Sequence, residues 1–486
     1  VITENLKTIT DIPHKITFKD FPNDIDIRGE VFIKKSQFNN LKNNFANPRN
    51  AASGSLRQKN PEVTKKIPLN FVAYTFGYFE SDKIKKQSDF LNSLQKWGFK
   101  ISEHNKVLKN INELENFHKK FEEDRFNLEY DVDGLVYKIN NLELQKRLGF
   151  TSNSPRWAIA HKFSADSAYS EITDINIQVG RTGALTPVAR IKPVNIGGVV
   201  VSNATLHNED EIDRKDIRIG DTVKIERAGD VIPHVIFVDL KKRDKKSKKF
   251  IFPDSCPSCG SKTIKEFNRT TKKYDAVRRC TNEGFECEKI AIEKIKHFIS
   301  KEAMNIDGLG KKVVENFWAL DLIRFPQDIY KLDYNKISNL DGWGDLSVSN
   351  LKYSINKSKQ VTLDRFLYAI GIRHIGIENA KLLAEYTKSI KSFLKFVNKK
   401  KLNEFLNIDG IGDTQINSLK KFFDNKSNYN VVETLSSILN ISDLKINKDG
   451  KLLNSTFMFT GKLSNMSRAE AKSLIEKNSG SVVSSI

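Results

Sequence analysis

Two lysines lie in short segments that otherwise have the composition of buried β-strands. Side chains alternate between the two faces of a strand, so Lys138 is predicted to share a face with Gly134. The same alternation places Lys162 on one face with Ala158 and Ala160. Small neighbours leave space for a ligand beside each ammonium group. Cations placed in this way are suited to binding phosphate oxygens.

A third predicted strand, residues 25–31, sends Arg28 and Glu30 to the face opposite its isoleucines. Asp131 and Asp133 lie just upstream of the first lysine-bearing strand, where a carboxylate could hold an ammonium group or a metal. Together these residues predict a nucleotide cleft, with cations for phosphates and a carboxylate for a ribose or a metal. The alternative for each residue taken singly is a snorkelling or edge-strand charge with no ligand.

The four cysteines follow the pattern Cys256-x2-Cys259-x20-Cys280-x6-Cys287. Four thiolates on two knuckles satisfy a tetrahedral Zn²⁺ and close its coordination sphere, which predicts a structural rather than a catalytic zinc. Two disulfides or four unliganded thiols are the alternatives, and clustering in one short segment disfavours disulfides.

A short glycine-containing motif recurs four times, at intervals of 34, 32 and 36 residues counted on its last glycine. Its copies are Ile306-Asp-Gly-Leu-Gly310, Leu340-Asp-Gly-Trp-Gly344, His374-Ile-Gly376 and Ile408-Asp-Gly-Ile-Gly412. Each lies in a segment of helical periodicity, as in helix-hairpin-helix units, where glycine lets backbone N–H groups approach a DNA phosphate. The residues predicted to make these contacts are Gly308, Gly310, Gly342, Gly344, Gly410 and Gly412. The third copy has histidine in place of the first glycine, so we expect it to pack rather than bind.

The surrounding elements predict a multidomain α+β protein. Residues 1–165 mix short strands with helices, and residues 170–245 contain short glycine-punctuated strands typical of a small β-barrel. A basic linker, Lys241–Lys249, precedes the cysteine segment, and the period is helical from about 290 to 440.

The composition favours a nucleic-acid partner. The 486 residues carry a formal net charge of +20, which creates a positive potential suited to a polyanion. No apolar run of about 18 residues and no secretory segment occurs, so we expect no membrane partner and a cytoplasmic location.

The ordered set of motifs resembles the bacterial NAD-dependent DNA ligases over essentially the whole chain. The matching segments are Arg28–Val31, Asp133–Lys138 and Trp157–Phe163 for three nucleotidyltransferase motifs, Phe45–Gln58 for an arginine loop, and Val179–Gly183, Ser202–Asn208 and Arg227–Pro233 for an OB-fold. The cysteine module, the four glycine motifs and a BRCT start at Thr456 follow in the order that the family has.

The resemblance implies domain boundaries. They are the carboxyl-terminal part of an adenylation (nucleotidyltransferase) domain at 1–166, an OB-fold at 167–248, a four-cysteine zinc finger at 249–293, a helix-hairpin-helix array of four units at 294–440, a linker at 441–453 and a partial BRCT domain at 454–486.

The resemblance also implies a reaction and residue roles. A lysine attacks NAD⁺ to form lysyl-AMP, AMP passes to the 5′-phosphate of a nick in double-stranded DNA, and the 3′-hydroxyl displaces AMP. Glu30, Lys138 and Lys162 would contact the nucleotide, Asp133 would support them, and Mg²⁺ or Mn²⁺ would assist. Arg49, Arg57, Arg181 and Arg227 would hold DNA. The implied protein is a bacterial, nucleoid-associated monomer that acts in DNA replication and repair.

One family motif is missing from the sequence. The nucleophile belongs to a Lys-x-Asp-Gly motif upstream of Glu30, and no such motif occurs; Lys448-Asp449-Gly450 lacks the spacer. The chain begins with Val1 and ends in a predicted strand, Ser481–Ile486, so we expect a fragment without the NMN-binding domain and most of the BRCT domain, unable to self-adenylate. A non-catalytic nick-binding clamp or scaffold is the alternative, and an ATP-dependent ligase is disfavoured by the carboxyl-terminal modules.

Overall fold

The computed structural model describes most of the chain. The described residues are 2–41, 45, 47–79, 83–151, 154–197, 199–227, 232–268, 272–282, 284–443, 450–452, 455–458, 471, 474–475 and 478–482. Two compact units are present: one comprises Val1–Ser170, Lys192–Ser202 and Val223–Ile236, and the other comprises Glu171–Ile191, Asn203–Thr222 and Phe237–Ile486. No helix among the described residues is both long enough and apolar enough to cross a bilayer.

The amino-terminal region alternates helices and short strands, as predicted for an α+β domain. Its elements are α1 (Ile2–Leu6), β1 (Ile25–Phe32), α2 (Lys35–Asn39), α3 (Pro48–Leu56), α4 (Pro61–Lys65), β2 (Asn70–Phe79), α5 (Gln87–Lys96), α6 (Ile111–Asp124), β3 (Gly134–Lys138), α7 (Leu142–Leu148) and β4 (Ala158–Lys162). β1 pairs antiparallel with β2, and β3 with β4. The buried Phe90 and Trp97 of the α5 segment pack edge to face against each other in the main aromatic core of this region.

A closed barrel with the strand order β5-β6-β7-β9-β8 follows. Its strands are β5 (Asp166–Val179), β6 (Leu185–Ile196), β7 (Val199–Thr205), β8 (Thr222–Arg227) and β9 (His234–Val238), and α8 (Glu209–Lys215) lies between β7 and β8. The alternation of buried and exposed residues along β6 and β8 is what a barrel with a filled interior requires. This confirms the predicted barrel.

The cysteine segment contains an antiparallel hairpin, β10 (Thr263–Asn268) with β11 (Lys273–Cys280). The helical region then runs through α9 (Glu288–Phe298), α10 (Lys311–Ala319), α11 (Tyr334–Ser338), α12 (Asp345–Ser358), α13 (Leu363–Ala369), α14 (Ile377–Thr387), α15 (Ile390–Asn398), α16 (Asp413–Asp424) and α17 (Lys426–Ile438). One continuous core extends from Ile292 to Leu439. A short parallel pair, β12 (Gln360–Thr362) with β13 (Asn440–Ser442), ends this region.

Part of the sequence interpretation lies outside the described residues. The positions concerned are Ala46 in the arginine-loop segment, Gly198 between two barrel strands and Ala228–Val231 in the last OB-fold motif. Residues 444–449 and 453 of the linker and most of the BRCT segment are also outside them. Within that last segment, β14 (Thr456–Phe457) pairs parallel with β15 (Ser481–Val482).

Candidate functional site

The register of the β3–β4 hairpin places both candidate lysines on one face. Gly134 lies opposite Lys162 and Lys138 lies opposite Ala158, and directly opposed residues of an antiparallel pair project to the same side. A Cβ at Gly134 would clash with the carbonyl oxygen of His161, so only glycine permits this close pairing. We call this side of the hairpin the lysine face.

Lys138 is held against β2. Its Nζ donates a hydrogen bond to the carbonyl oxygen of Tyr74 at 3.0 Å and lies 5.1 Å from the centroid of the Tyr74 ring. Burial lowers the pKa of Lys138 from the ordinary 10.5 to about 8, because desolvation disfavours the ammonium form. No carboxylate contacts Lys138 among the described residues, so a bound phosphate would supply the missing negative charge.

Lys162 lies in a more open position at the other end of the lysine face. Its Nζ lies 2.7 Å from Asp133 Oδ2, and both side chains are more than half exposed. Asp131 instead pairs with Lys35 at 3.2 Å. The two predicted acids therefore hold ammonium groups, and Asp133 orients Lys162 while leaving it accessible.

Glu30 and Arg28 project from β1 as the alternation predicts. Both are exposed, whereas the flanking isoleucines are partly buried. Glu30 pairs with Val72 and Arg28 with Thr75 across β2, and a bulge separates Arg28 from the next residue. Tyr74, which contacts Lys138, lies between Val72 and Thr75 in β2. β2, which contacts Lys138, is therefore the direct neighbour of β1, which carries Glu30. Sequence reasoning missed Tyr74, because a single aromatic residue in a strand carries no motif.

Part of the opposite side of the hairpin contacts α6. The imidazole of His161 stacks on that of His118 with centroids 3.7 Å apart, and the Tyr137 hydroxyl lies 3.2 Å from His161 Nδ1. His118 also contacts Phe163. This side is only partly packed, since Ile159 on it is 67% exposed. What distinguishes the lysine face is its pair of ammonium groups.

The predicted arginine loop is largely helical, which corrects that interpretation. Asn47 caps α3 by accepting a hydrogen bond from the Asn50 backbone N–H, and Pro48 occupies its first turn. Arg49 is exposed in the first turn. Arg57 at the other end donates to the Ser53 carbonyl and hydroxyl oxygens at 3.0 and 2.7 Å.

The two barrel arginines lie at strand ends. Arg227 is the last residue of β8, and Arg181 lies in the turn after β5. Burial, and to a smaller extent the charge of Arg181, lowers the pKa of His297 in α9. Arg181 is therefore close to the first helix of the helical region.

The four cysteines converge. Their Sγ atoms all lie within 4.8 Å of one another, with Cys256 to Cys287 at 4.0 Å and Cys259 to Cys280 at 3.5 Å, and all four are thiols. Zn–S bonds of about 2.3 Å imply an S···S edge of about 3.8 Å in a tetrahedron. The donor set and its spacing fit Zn²⁺.

Ion pairs on both sides hold the base of the β10–β11 hairpin. Lys265 and Arg278 pair with Glu209 at 2.9 and 3.0 Å. Glu266 pairs with Arg373, and with Lys421 at 2.9 Å. Burial of Glu266 opposes its ionisation. Hydrogen bonds from Arg373 and Lys421 outweigh this effect and lower the pKa of Glu266 to about 2. The carboxylate therefore stays charged at neutral pH.

The glycine motifs form turns before helices. Gly308, Gly342 and Gly410 have φ of +86°, +81° and +94°, and His374 takes the same left-handed region at +62° in the third copy. A Cβ at Gly310, Gly342 or Gly344 would meet nothing within 4 Å, so the first two turns present open backbone. At the fourth turn the Gly412 N–H already donates to Gln415 Oε1 at 3.1 Å. That turn is preceded by a 3₁₀-helix, Leu402–Asn407, rather than by the predicted α-helix.

Comparison with known proteins connects these elements. The NAD-dependent DNA ligase adenylation domain matches residues 1–166, the NAD-dependent DNA ligase OB-fold domain matches 169–247, and the helix-hairpin-helix motif matches 365–432. The DNA ligase of Pelagibacter ubique (strain HTCC1062) is 64% identical over 486 residues, covering 100% of this chain and 72% of that protein. The DNA ligase of Rickettsia bellii (strain OSU 85-389) is 44% identical over 508 residues, with coverages of 100% and 72%.

The adenylation and OB-fold matches and the extent of the similarity to the Pelagibacter protein identify the same group of enzymes. The chain belongs to the NAD-dependent DNA ligases, which join a 3′-hydroxyl to a 5′-phosphate in DNA with NAD⁺ as the AMP donor.

Proposed function

We propose that the lysine face of the β3–β4 hairpin holds the AMP phosphate during ligation. Lys138 and Lys162 provide the two cations, Asp133 orients Lys162, and Glu30 contacts the nucleotide from β1. The observation that carries this proposal is the strand register that places both lysines on one face of the hairpin. In the last step the 3′-hydroxyl attacks the 5′-phosphate and AMP leaves, so negative charge spreads over the reacting phosphate oxygens. Positioned cations stabilise that charge.

The partly exposed ring of Tyr74 suits the nucleotide base. It lies beside Lys138, so a phosphate bound to the ammonium group would bring its nucleoside towards the ring. Stacking of a base on an aromatic ring is favourable and tolerant of base identity.

The lowered pKa of Lys138 predicts a pH dependence. The side chain is cationic below its pKa of about 8 and loses its charge above it, and a bound phosphate raises this midpoint. Affinity for an adenylated nick should therefore decrease as the pH rises from 8 to 10. Fluorescence anisotropy across this range measures the effect, and Lys138→Arg, whose side chain stays charged, is the control. Equal slopes for the two proteins would contradict the assignment.

We propose that nicked double-stranded DNA is held at several points by a monomer. Arg49 lies in the first turn of α3 and Arg57 follows its last residue, and Arg181 and Arg227 lie at strand ends of the barrel. The glycine turns add sequence-independent backbone contacts at Gly308, Gly310, Gly342, Gly344, Gly410 and Gly412. Contacts of this kind go to phosphates, so binding should weaken steeply with salt.

The cysteine cluster is proposed to hold one structural Zn²⁺, with Cys256, Cys259, Cys280 and Cys287 as its ligands. Elemental analysis of the purified chain should give about one zinc per polypeptide. The double variant Cys259→Ser and Cys280→Ser should lose the metal and destabilise the hairpin, because structural zinc contributes on the order of 10 kcal/mol of binding free energy. Ser255→Ala in the same segment is the matched control. A metal-free protein whose mass shows the loss of hydrogen that accompanies formation of two disulfides would contradict the proposal.

Mg²⁺ or Mn²⁺ is proposed to arrive with the nucleotide. The only cluster suited to a metal among the described residues is the cysteine cluster, and thiolates are poor ligands for these hard cations. Phosphate oxygens would thus be the main ligands, beside carboxylates such as Asp133.

A non-catalytic nick-binding clamp remains the second candidate, because no Lys-x-Asp-Gly motif occurs in this sequence. A nick that already carries AMP on its 5′-phosphate separates the two functions. Sealing of this substrate without NAD⁺ supports the catalytic proposal, and tight binding without sealing supports the clamp. A cytoplasmic, nucleoid-associated location and a BRCT domain beginning at about residue 454 complete the proposal.

A further inference from the structure

We propose that the tip of the β10–β11 hairpin is a DNA-contacting wedge. The hairpin tip is defined here as Phe267, Lys272, Lys273 and Tyr274. The residues assigned to DNA above lie in α3, the barrel and the glycine turns, so the hairpin tip is an additional contact surface.

The aromatic pair of the tip is open to solvent. Phe267 and Tyr274 are cross-strand partners whose ring centroids lie 5.2 Å apart with the ring planes inclined by 65°. Such a pair stabilises a hairpin, but Phe267 is still 52% exposed and Tyr274 69% exposed. The contact between the two rings therefore buries only part of their apolar surface, and the rest is available to a partner.

Two cations of the tip have no partner of opposite charge among the residues that the structure describes. Lys272 and Lys273 are exposed, and neither forms an ion pair within the described part of the chain. By contrast, Lys265 and Arg278 in the same hairpin both pair with Glu209, and each has a second acidic partner, Asp210 and Asp254 respectively. Positive charge that the fold does not compensate is therefore concentrated at the tip.

The base of the hairpin is fixed, so the tip is presented in a defined position. Glu209 and Asp210 hold Lys265 from one side, and Arg373 and Lys421 hold Glu266 from the other. The four cysteines close the end of the hairpin opposite to the tip. An element anchored in this way loses little conformational entropy on binding a partner.

The chemistry of the tip fits a DNA groove. Lysines bind the phosphates that border the groove, and exposed aromatic rings make apolar contacts with sugars and base edges or enter a weakened base step. A nick supplies such a step, because the backbone of one strand is interrupted there. An acidic protein partner would use the same charges but would not need the rings.

The test compares binding of the full 486-residue chain and its variants to a fluorescent nicked duplex. Phe267→Ala with Tyr274→Ala should weaken binding about tenfold at fixed salt. Lys272→Gln with Lys273→Gln should lower the slope of log K against log salt by about 2, since each phosphate contact contributes about 0.9. Phe18→Ala with Lys19→Gln, an exposed pair in the amino-terminal region, is the matched control and should have no effect.

Two further measurements separate a contact from a folding defect. Each variant should retain the zinc content of the wild type. In addition, p-benzoylphenylalanine at position 267 should crosslink to the labelled duplex on irradiation, whereas the same group at position 18 should not. Unchanged affinity and salt slope in both tip variants, or no crosslink, would overturn the inference while leaving DNA binding by the wild type intact. Failure of the wild type to bind DNA would instead refute the proposed function.

Discussion

Lys138→Ala should lose at least about 100-fold in the rate at which the chain seals a pre-adenylated nick in the absence of NAD⁺. Removal of one preorganised charge donor from a transferring phosphate typically costs about 10² to 10³ in rate. The position of Lys138 is partly desolvated, which strengthens its charge interactions relative to a fully exposed lysine. Single-turnover sealing of a labelled nicked duplex, followed by denaturing gel electrophoresis, measures this rate.

The matched variant is Lys138→Arg, which keeps the charge and should retain more activity than the alanine variant. Affinity of Lys138→Ala for an unadenylated nick should stay within about twofold of the wild type, because the phosphodiester contacts lie elsewhere. Sealing by Lys138→Ala at the wild-type rate would show that the lysine face does not serve the reaction.

With NAD⁺ labelled in its adenylate half, the 486-residue chain alone should acquire no covalent label. The family reaction begins on the lysine of a Lys-x-Asp-Gly motif, and no lysine of this sequence lies in one. Lys138 and Lys162 are proposed as cations that bind phosphate, and neither replaces the nucleophile. Denaturing electrophoresis with autoradiography gives the result directly.

A relative with the complete motif, assayed in parallel, is the positive control. A labelled band from the 486-residue chain that resists denaturation and is released by acid would contradict the prediction. Mapping that label to a lysine would then identify a nucleophile outside the Lys-x-Asp-Gly motif.

Local patterns predicted much of the lysine face. Alternation along the strands correctly placed Lys138 with Gly134 and Lys162 with two alanines, because side-chain direction in a strand follows sequence parity. The limits of helices such as α5 (Gln87–Lys96) and α6 (Ile111–Asp124) are harder to predict than their existence. End residues depend on capping, which periodicity does not encode.

Contacts between distant segments could not be predicted. The Lys138 to Tyr74 hydrogen bond joins residues 64 positions apart, and Arg373 reaches Glu266 across 107 positions. Nothing in either local sequence specifies the partner, since each depends on how whole elements pack. The segment that matches the arginine loop is mostly helical, and here the signal is local, because Asn47 and Pro48 are residues that favour a helix start.

The third glycine motif shows the limit of motif reasoning. Its histidine takes the left-handed backbone region that glycine takes in the other copies. The His374 ring lies 3.1 Å from the Ser418 hydroxyl, but Gly376 stays as open as the glycines of the first two turns. The difference lies in the neighbouring Arg373, whose partner is in the cysteine hairpin. The histidine is visible in the sequence, whereas the contact between Arg373 and the cysteine hairpin is visible only in the fold.

The affinity difference between an AMP-capped nick and an uncapped nick is the decisive measurement for a shared AMP site, because it isolates the AMP contribution without requiring catalysis. Equilibrium anisotropy with the wild type, Lys138→Ala and Lys162→Ala measures it at about pH 7, where the ammonium group of Lys138 is charged. We expect tighter binding of the capped nick by the wild type and a loss of that preference in both variants, with uncapped binding retained. A preference for the capped nick that persists undiminished in both variants would show that these two lysines do not share one AMP site.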